Sequence, residues 1–155
     1  MMKKLLRQQY RDQLASTSAL ASFTVPTEGW VRLVRKALGM TLRQLGHRMG
    51  VSTSAVARLE RMEPEGRVTL AQLEKAAAAL DCRVVYALVP DGPVEETLAR
   101  QAERKARARV EKVSVNMALE KQQLTPQQIA DRIAESSQRY LDNPPRDFWD
   151  DDPES

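Results

Sequence analysis

The sequence predicts a mostly α-helical protein with one short β-strand. Apolar residues recur at helical spacing along much of its 155 residues, in stretches rich in Ala, Arg and Gln. The pair Thr-x-x-Gln, which can cap the first turn of a helix, occurs at Thr41, Thr69 and Thr125. Residues 83–89 differ, because they are mostly β-branched or aromatic and are followed by Pro90.

The N-terminal extension, residues 1–28, begins with a predicted helix from Lys3 to Ala15. Leu5, Leu6, Tyr10 and Leu14 are available for one face of this helix. The stretch "STSALASFTVPTEG" breaks the pattern. Phe23 to Val25 could form a short strand there, which the following proline would end.

Four helical patterns follow in residues 29–82. The first covers Trp30 to Leu38 and ends at Gly39, and the second begins at Thr41 and ends at Gly50. The third is capped by Ser52, and the fourth begins at the capping box of Thr69. The residues of the last three helices predicted to face the interior are Leu45, Met49, Val56, Leu59, Leu70, Leu73, Ala77 and Leu80.

Residues 83–92 are predicted to form a β-strand and a turn. A single strand needs a partner, and the candidates are Phe23 to Val25 or the same strand of a second subunit. Residues 93–142 are predicted to form the C-terminal helices: a long one from Pro93 to Gln123 with a narrow apolar stripe, and one capped by Thr125. These helices could form a dimer or partner surface, or pack within the chain. Residues 143–155 form a tail.

Charge is spread unevenly although the net charge is only +3. The stretch from Trp30 to Arg61 contains one acidic residue, Glu60, and seven basic ones. Those basic residues are Arg32, Arg35, Lys36, Arg43, Arg48, Arg58 and Arg61. A basic block of this kind suits a phosphate backbone. The C-terminal stretch is acidic, with Asp142, Asp147, Asp150, Asp151, Asp152 and Glu154 against Arg146. Such a tail suggests a protein contact or self-screening.

Several classes of protein are disfavoured by composition. The single cysteine, Cys82, excludes an internal disulfide and a multi-cysteine metal site, and we expect it to be buried as a small apolar residue. No apolar run is as long as a membrane span, and no apolar signal core follows the basic N-terminus. We therefore expect a cytoplasmic protein without a membrane partner. No acid-base, nucleophile or metal-ligand constellation is evident, so we expect no enzyme activity, catalytic residue, metal or cofactor.

The two capped helices on either side of Gly50-Val51-Ser52 have helix-turn-helix spacing. In that arrangement the second helix enters the major groove of double-stranded DNA and reads base edges with its N-terminal side chains. The predicted base-reading residues are Thr53, Ser54, Ala57 and Arg58, opposite the buried pair Val56 and Leu59. Arg58 can grip a guanine by two hydrogen bonds. The alternatives for this side chain are a phosphate contact or a salt bridge to Glu60 or nearby acidic residues.

The string "LGMTLRQLGHRMGVSTSAVARLER", followed by "VTLAQLEKAAAALDC", resembles the XRE or phage-repressor helix-turn-helix family over Gly29 to Cys82. The resemblance implies a five-helix bundle and base contacts from the four residues just named. The predicted DNA-backbone contacts are Thr41, Arg43, Gln44, Ser52 and Arg61. The sequence departs from the family at two positions. Leu42 stands where many members have glutamine, and Gly46 stands where the family prefers alanine.

The whole chain resembles the group called mobile mystery protein A, which joins such a domain to "ALDCRVVYALVP" and a long helical C-terminus. Members are encoded beside a Fic-domain partner, in a pairing that resembles an antitoxin with its toxin. We therefore expect a sequence-specific transcriptional regulator, an autorepressor of its own operon that binds a palindromic site as a homodimer. The alternative is an antitoxin that binds and neutralises a Fic-type partner protein, with DNA binding secondary.

Overall fold

The computed structural model describes residues 2–119 and 123–151. The residues outside this described part are Met1, 120–122 and 152–155. They include the last predicted turn of the long helix before Gln123, and the acidic residues Asp152 and Glu154. The described α-helices are α1 (Met2–Ala15), α2 (Trp30–Ala37), α3 (Leu42–Met49), α4 (Thr53–Met62), α5 (Leu70–Ala79), α6 (Val94–Leu119) and α7 (Pro126–Asp142). A short 3-10 helix, Ser16–Leu20, follows α1. The chain divides into two compact units, residues 17–89 and residues 1–16 with 90–155.

The first unit contains α2 to α5 around one apolar core. Its buried members are Val31, Leu45, Val56, Leu59, Ala76, Ala79 and Leu80. Four of the predicted interior positions are thereby confirmed, and Met49, Leu73 and Ala77 are partly buried. Leu70 is 44% exposed, so its predicted burial is wrong. It is the first residue of α5, and Ala76 and Ala79 provide the buried face of that helix instead.

The number of helices follows the residue pattern rather than the family resemblance. Residues 29–82 contain four described α-helices, as the helical patterns predict, and not the five that the resemblance implies. Helix α5 ends at Ala79, and Asp81, two residues later, has a left-handed backbone with φ 54°. Residues 82–90 then run on without helix or strand.

The predicted β-strand at residues 83–89 is wrong: no strand is present in the described residues, including Phe23 to Val25. The composition favours a strand, but a strand exists only where its backbone pairs with another. No backbone amide or carbonyl from Arg83 to Val89 bonds to another backbone group in the described part of the chain. The predicted burial of Cys82 is also wrong, because the thiol lies at the start of this exposed segment.

In the second unit, α6 packs against α7. Ala106 and Val110 of α6 form a buried cluster with Ile133 of α7. Part of the apolar stripe predicted for α6 is therefore covered within the chain. Phe148 is buried as well, and its carbonyl oxygen accepts a hydrogen bond from the side chain of Gln101. The tail is thus attached to α6 by the buried Phe148 and its hydrogen bond, and the exposed ion pair of Asp151 with Arg104, 3.8 Å apart, adds a charge contact.

The capping predictions are confirmed at all three Thr-x-x-Gln pairs. In each box the threonine hydroxyl accepts from the glutamine amide and the glutamine side chain accepts from the threonine amide. Pro126 occupies the first turn of α7, as expected. None of the helices in residues 2–119 and 123–151 is long and apolar enough to cross a membrane.

Candidate nucleic-acid interface

The start of α3 is fixed by the capping box of Thr41 and Gln44. The Gln44 amide donates to Thr41 Oγ1 over 3.1 Å, and the Thr41 amide donates to Gln44 Oε1 over 2.8 Å. Both side chains are exposed, and the box leaves amides of the first helical turn facing outward. Since the N-terminal end of a helix carries partial positive charge, this end of α3 can accept a phosphate. Arg43 lies in the same turn and is also exposed.

The turn between α3 and α4 is closely packed. Gly50 ends α3 in the left-handed region, with φ 69°, and the Val51 amide donates to the carbonyl oxygen of Gly46 over 2.9 Å. A Cβ atom added to Gly46 would lie 2.9 Å from the carbonyl oxygen of Val51. The absence of a side chain at Gly46 therefore lets the turn fold back onto α3.

Ser52 begins α4, as predicted. Its hydroxyl oxygen accepts from the Ala55 amide over 3.1 Å and lies 3.1 Å from the hydroxyl oxygen of Ser54. The cap uses one of the oxygen's acceptor positions and leaves the serine exposed beside the first turn.

The predicted base-reading residues lie together on the outer face of α4. Thr53, Ser54 and Arg58 are exposed and Ala57 is partly buried, whereas Val56 and Leu59 on the opposite face are buried. Thr53 and Ala57 are four residues apart, as are Ser54 and Arg58, so the side chains within each pair are neighbours on the helix surface. Arg61 follows one turn after Ala57 and is exposed on the same side.

Arg58 does not pair with Glu60. Its Nε lies 3.4 Å from the sulfur of Met62, which is a weak acceptor, and its terminal nitrogens have no ion pair within the described residues. The salt bridge between Arg58 and Glu60, one of the alternatives for this side chain, is therefore not formed. The guanidinium N–H groups of Arg58 donate to no carboxylate in the described part of the chain.

Glu60 is instead buried, 1% exposed, against two arginines of α2. Arg35 donates from Nε and Nη2 to its two carboxylate oxygens, the second over 2.9 Å, and Arg32 donates from Nε over 3.2 Å. Burial raises the pKa of the Glu60 carboxyl, but the bonds and charges of Arg35 and Arg32 outweigh it, so its pKa lies below the ordinary value. The hydrogen bond to Glu60 likewise raises the pKa of Arg35.

Glu63, one turn later, caps the start of α2. The Trp30 amide donates to Oε1 over 2.7 Å and the Val31 amide donates to Oε2 over 3.0 Å. Gly29 precedes α2 with φ 83°, and a Cβ atom there would lie 2.8 Å from Glu63 Oε2. Glu60 and Glu63 together fix the last turn of α4 on α2, and with it the direction in which the outer face points.

The basic block consequently separates into two groups. Arg32 and Arg35 bond to Glu60, Lys36 bonds to Glu28 over 2.7 Å, and Arg48 donates to the carbonyl oxygen of Ala79 over 2.6 Å. The members of the basic block without an ion pair in the described part of the chain are Arg43, Arg58 and Arg61. These three are the arginines that the sequence assigned to DNA.

The structural roles of Glu60, Glu63 and Arg48 were not predicted. Their partners lie between 25 and 33 residues away in sequence, beyond the reach of local periodicity. For Glu60, the signal that could have suggested the contact is that it is the single acidic residue of the stretch from Trp30 to Arg61, which also contains the i, i+3 pair Arg32 and Arg35. Within residues 2–119 and 123–151, no group of three or more His, Cys, Asp or Glu residues could hold a metal ion.

Comparison with known proteins identifies the domain. Residues 31–86 match the family model described as helix-turn-helix. No curated protein and no solved structure matched the chain. The chain therefore contains an XRE-type helix-turn-helix domain at residues 31–86, which indicates a DNA-binding regulator.

Proposed function

We propose that this helix-turn-helix chain is a cytoplasmic, sequence-specific transcriptional regulator that binds a palindromic site as a homodimer and represses its own operon. The observation that carries the proposal is the division of α4 into two faces. One face is bonded and packed against α2 and the core, and the other presents polar and cationic side chains to the outside. The proposal gives the chain no catalytic step and no cofactor.

The docking follows from the positions of the two helices. The first turn of α3, with Thr41, Arg43 and Gln44, would lie at the phosphate backbone, because exposed amides and a cation are present there. Helix α4 would enter the major groove with Thr53 and Ser54 leading. Small hydroxyl side chains permit a close approach and can donate to bases or phosphates.

Arg58 and Ala57 would supply base recognition further along the groove. A guanidinium without an ion pair can bond to O6 and N7 of a guanine, and a methyl group can contact the methyl of a thymine. Ser52 and Arg61 would contact phosphates on either side. Leu42, where glutamine is common in the family, is partly buried against the core. It contributes packing rather than readout, so recognition depends on α4.

Fluorescence anisotropy with DNA from upstream of the chain's own gene tests this function. Arg58→Ala should weaken binding to that DNA by about 1–3 kcal/mol and reduce its preference over a scrambled duplex. Arg58→Lys keeps the charge but loses the two-pronged donor geometry, so it should also lose preference. Arg139→Ala, at another exposed arginine, in α7, serves as the matched control and should change neither quantity.

The proposal predicts that wild type prefers its own upstream DNA at physiological salt. If wild type, Arg58→Ala and Arg139→Ala bind both duplexes equally and only through salt-sensitive contacts, α4 does not read that sequence.

The antitoxin alternative stays a prediction. It depends on the resemblance of the whole chain to mobile mystery protein A, which extends beyond the matched residues 31–86. Loss of control over a co-expressed Fic-type protein in a variant that retains full operator binding would favour it.

A further inference from the structure

The segment from Arg83 to Val89 is an exposed, unpaired stretch with the composition of a buried strand. Val85, Tyr86 and Leu88 are 77%, 73% and 85% exposed. None of the backbone groups from Arg83 to Val89 bonds to another backbone group in the described part of the chain. No charge or proline interrupts residues 84–89, although those are the features with which proteins protect an exposed strand edge.

An apolar cavity of about 300 Å³ lies beside this segment. Val84 and Val85 form part of its wall, and Phe23 and Trp30 form another part. The two rings are stacked with centroids 5.7 Å apart, and they are 58% and 40% exposed. The unpaired backbone and the apolar surface are therefore continuous within the unit of residues 17–89.

We propose that this surface is the dimer interface: residues 83–89 of two copies pair as antiparallel strands about a two-fold axis, and the pair covers the cavity. The inference rests on the proposed function in one respect, since a palindromic site requires two recognition helices related by a two-fold axis.

A second copy fits this surface because the segment is self-complementary. In an antiparallel pair centred near Tyr86, Arg83 of each copy lies opposite Val89 of the other. Arg83 is the single charged residue of the segment, so no like charges meet. Pairing would satisfy backbone groups that have no backbone partner within the described chain.

The exposed apolar area of this surface is comparable with the area that a stable protein interface buries. Aromatic side chains can each bury about 150–250 Å². At their exposed fractions, Phe23, Trp30 and Tyr86 together with Val85 and Leu88 offer on the order of 500 Å² per copy. A stable interface buries about 800 Å² per partner. These five residues can therefore supply more than half of such an interface.

Sedimentation velocity on the full chain tests the proposal. Wild type should be a dimer, and Leu88→Asp should raise its dissociation constant by about tenfold or more, because a carboxylate would be buried between apolar strands. Leu119→Asp makes the same change at a leucine of α6 that is 81% exposed, and should leave the dissociation constant unchanged. Equal circular dichroism spectra for the variants would show that the helices remain formed.

Amide hydrogen exchange provides the readout specific to strand pairing. Alternate amides from Val84 to Leu88 should be protected in the wild-type dimer and exchange freely in Leu88→Asp. A wild-type monomer, or a dimer that Leu88→Asp does not weaken, would overturn the proposal, as would a dimer whose 84–88 amides are all unprotected.

Failure of the proposed function would look different. A chain that pairs through Leu88 yet shows no preference for its own upstream DNA would retain the interface and lose the DNA-binding assignment. Conversely, a wild-type chain that prefers this DNA but remains monomeric would retain the DNA-binding assignment and lose the interface.

Discussion

Glu60→Gln tests the contact that orients the recognition helix. The substitution keeps the size of the side chain but removes the charge that accepts three hydrogen bonds from Arg35 and Arg32. The Arg35 side chain is only 12% exposed, so its charge would remain poorly solvated beside a neutral amide. Removing one partner of a buried pair costs about 3–5 kcal/mol. Since Arg32 is 39% exposed and can regain water, we expect about 3 kcal/mol.

The pH dependence provides a second measure. The pKa of Glu60 is lower in the folded state, so its contribution to stability is complete above the ordinary pKa of a glutamate, about 4.5. It is lost as the pH falls through the folded pKa. In Glu60→Gln the contribution is absent at every pH. The difference in stability between wild type and variant should therefore be largest near neutral pH and shrink below about pH 4.

Urea denaturation followed by tryptophan fluorescence measures both quantities. A Trp149→Phe background leaves Trp30, at the start of α2, as the reporter of the unit that contains Glu60. Glu65→Gln is the matched control: this carboxylate lies in the same unit, is 50% exposed and is paired with Arg67, so its loss should cost less than about 0.5 kcal/mol. A Glu60→Gln variant within about 1 kcal/mol of wild type at neutral pH would refute the reasoning.

Two further predictions concern the turn between α3 and α4. Gly46→Val should destabilise the domain by about 3 kcal/mol or more, because even a Cβ atom meets the Val51 carbonyl oxygen at 2.9 Å. Thermal melts measure this loss. Ala78→Val, at an exposed position of α5, controls for helix propensity and should cost under about 1 kcal/mol in the same measurement. Ser52→Ala should cost about 1 kcal/mol through the lost cap, and Ser52→Gly only a few tenths. Equal losses for alanine and glycine there would argue against a capping role.

The features that the sequence predicted correctly are mostly local. A capping box depends on two residues three apart, so Thr41 with Gln44 could be read without knowing the fold. The contact of Glu60 with Arg35 joins residues 25 apart and needs the packing angle between α2 and α4. Residues 83–89 have strand propensity, but a strand also needs a partner, which propensity cannot supply.

The candidate site was predictable to the same extent. The position of the turn and the outward placement of Thr53, Ser54 and Arg58 follow from helical periodicity. The assignment of basic residues did not follow, because several arginines of the basic block serve the fold. The number of basic residues from Trp30 to Arg61 predicts phosphate binding for all of them. In the structure, four of the seven bond to other parts of the chain, and three lie on the surface without an ion pair to any described residue. Which of the surface residues contact DNA remains a prediction.

The division of α4 into two faces bears on how such a protein can diversify. Thr53, Ala57 and Arg58 form no hydrogen bond that ties them to another element within the described chain. The contacts that fix the helix come from the buried Val56 and Leu59, from Glu60 in its last turn and from Glu63 directly after it. Mutations at Thr53, Ala57 and Arg58 can therefore accumulate with little loss of folding stability. A library randomised at those three positions would retain mostly folded members, so new operator preferences could be selected without first re-stabilising the scaffold.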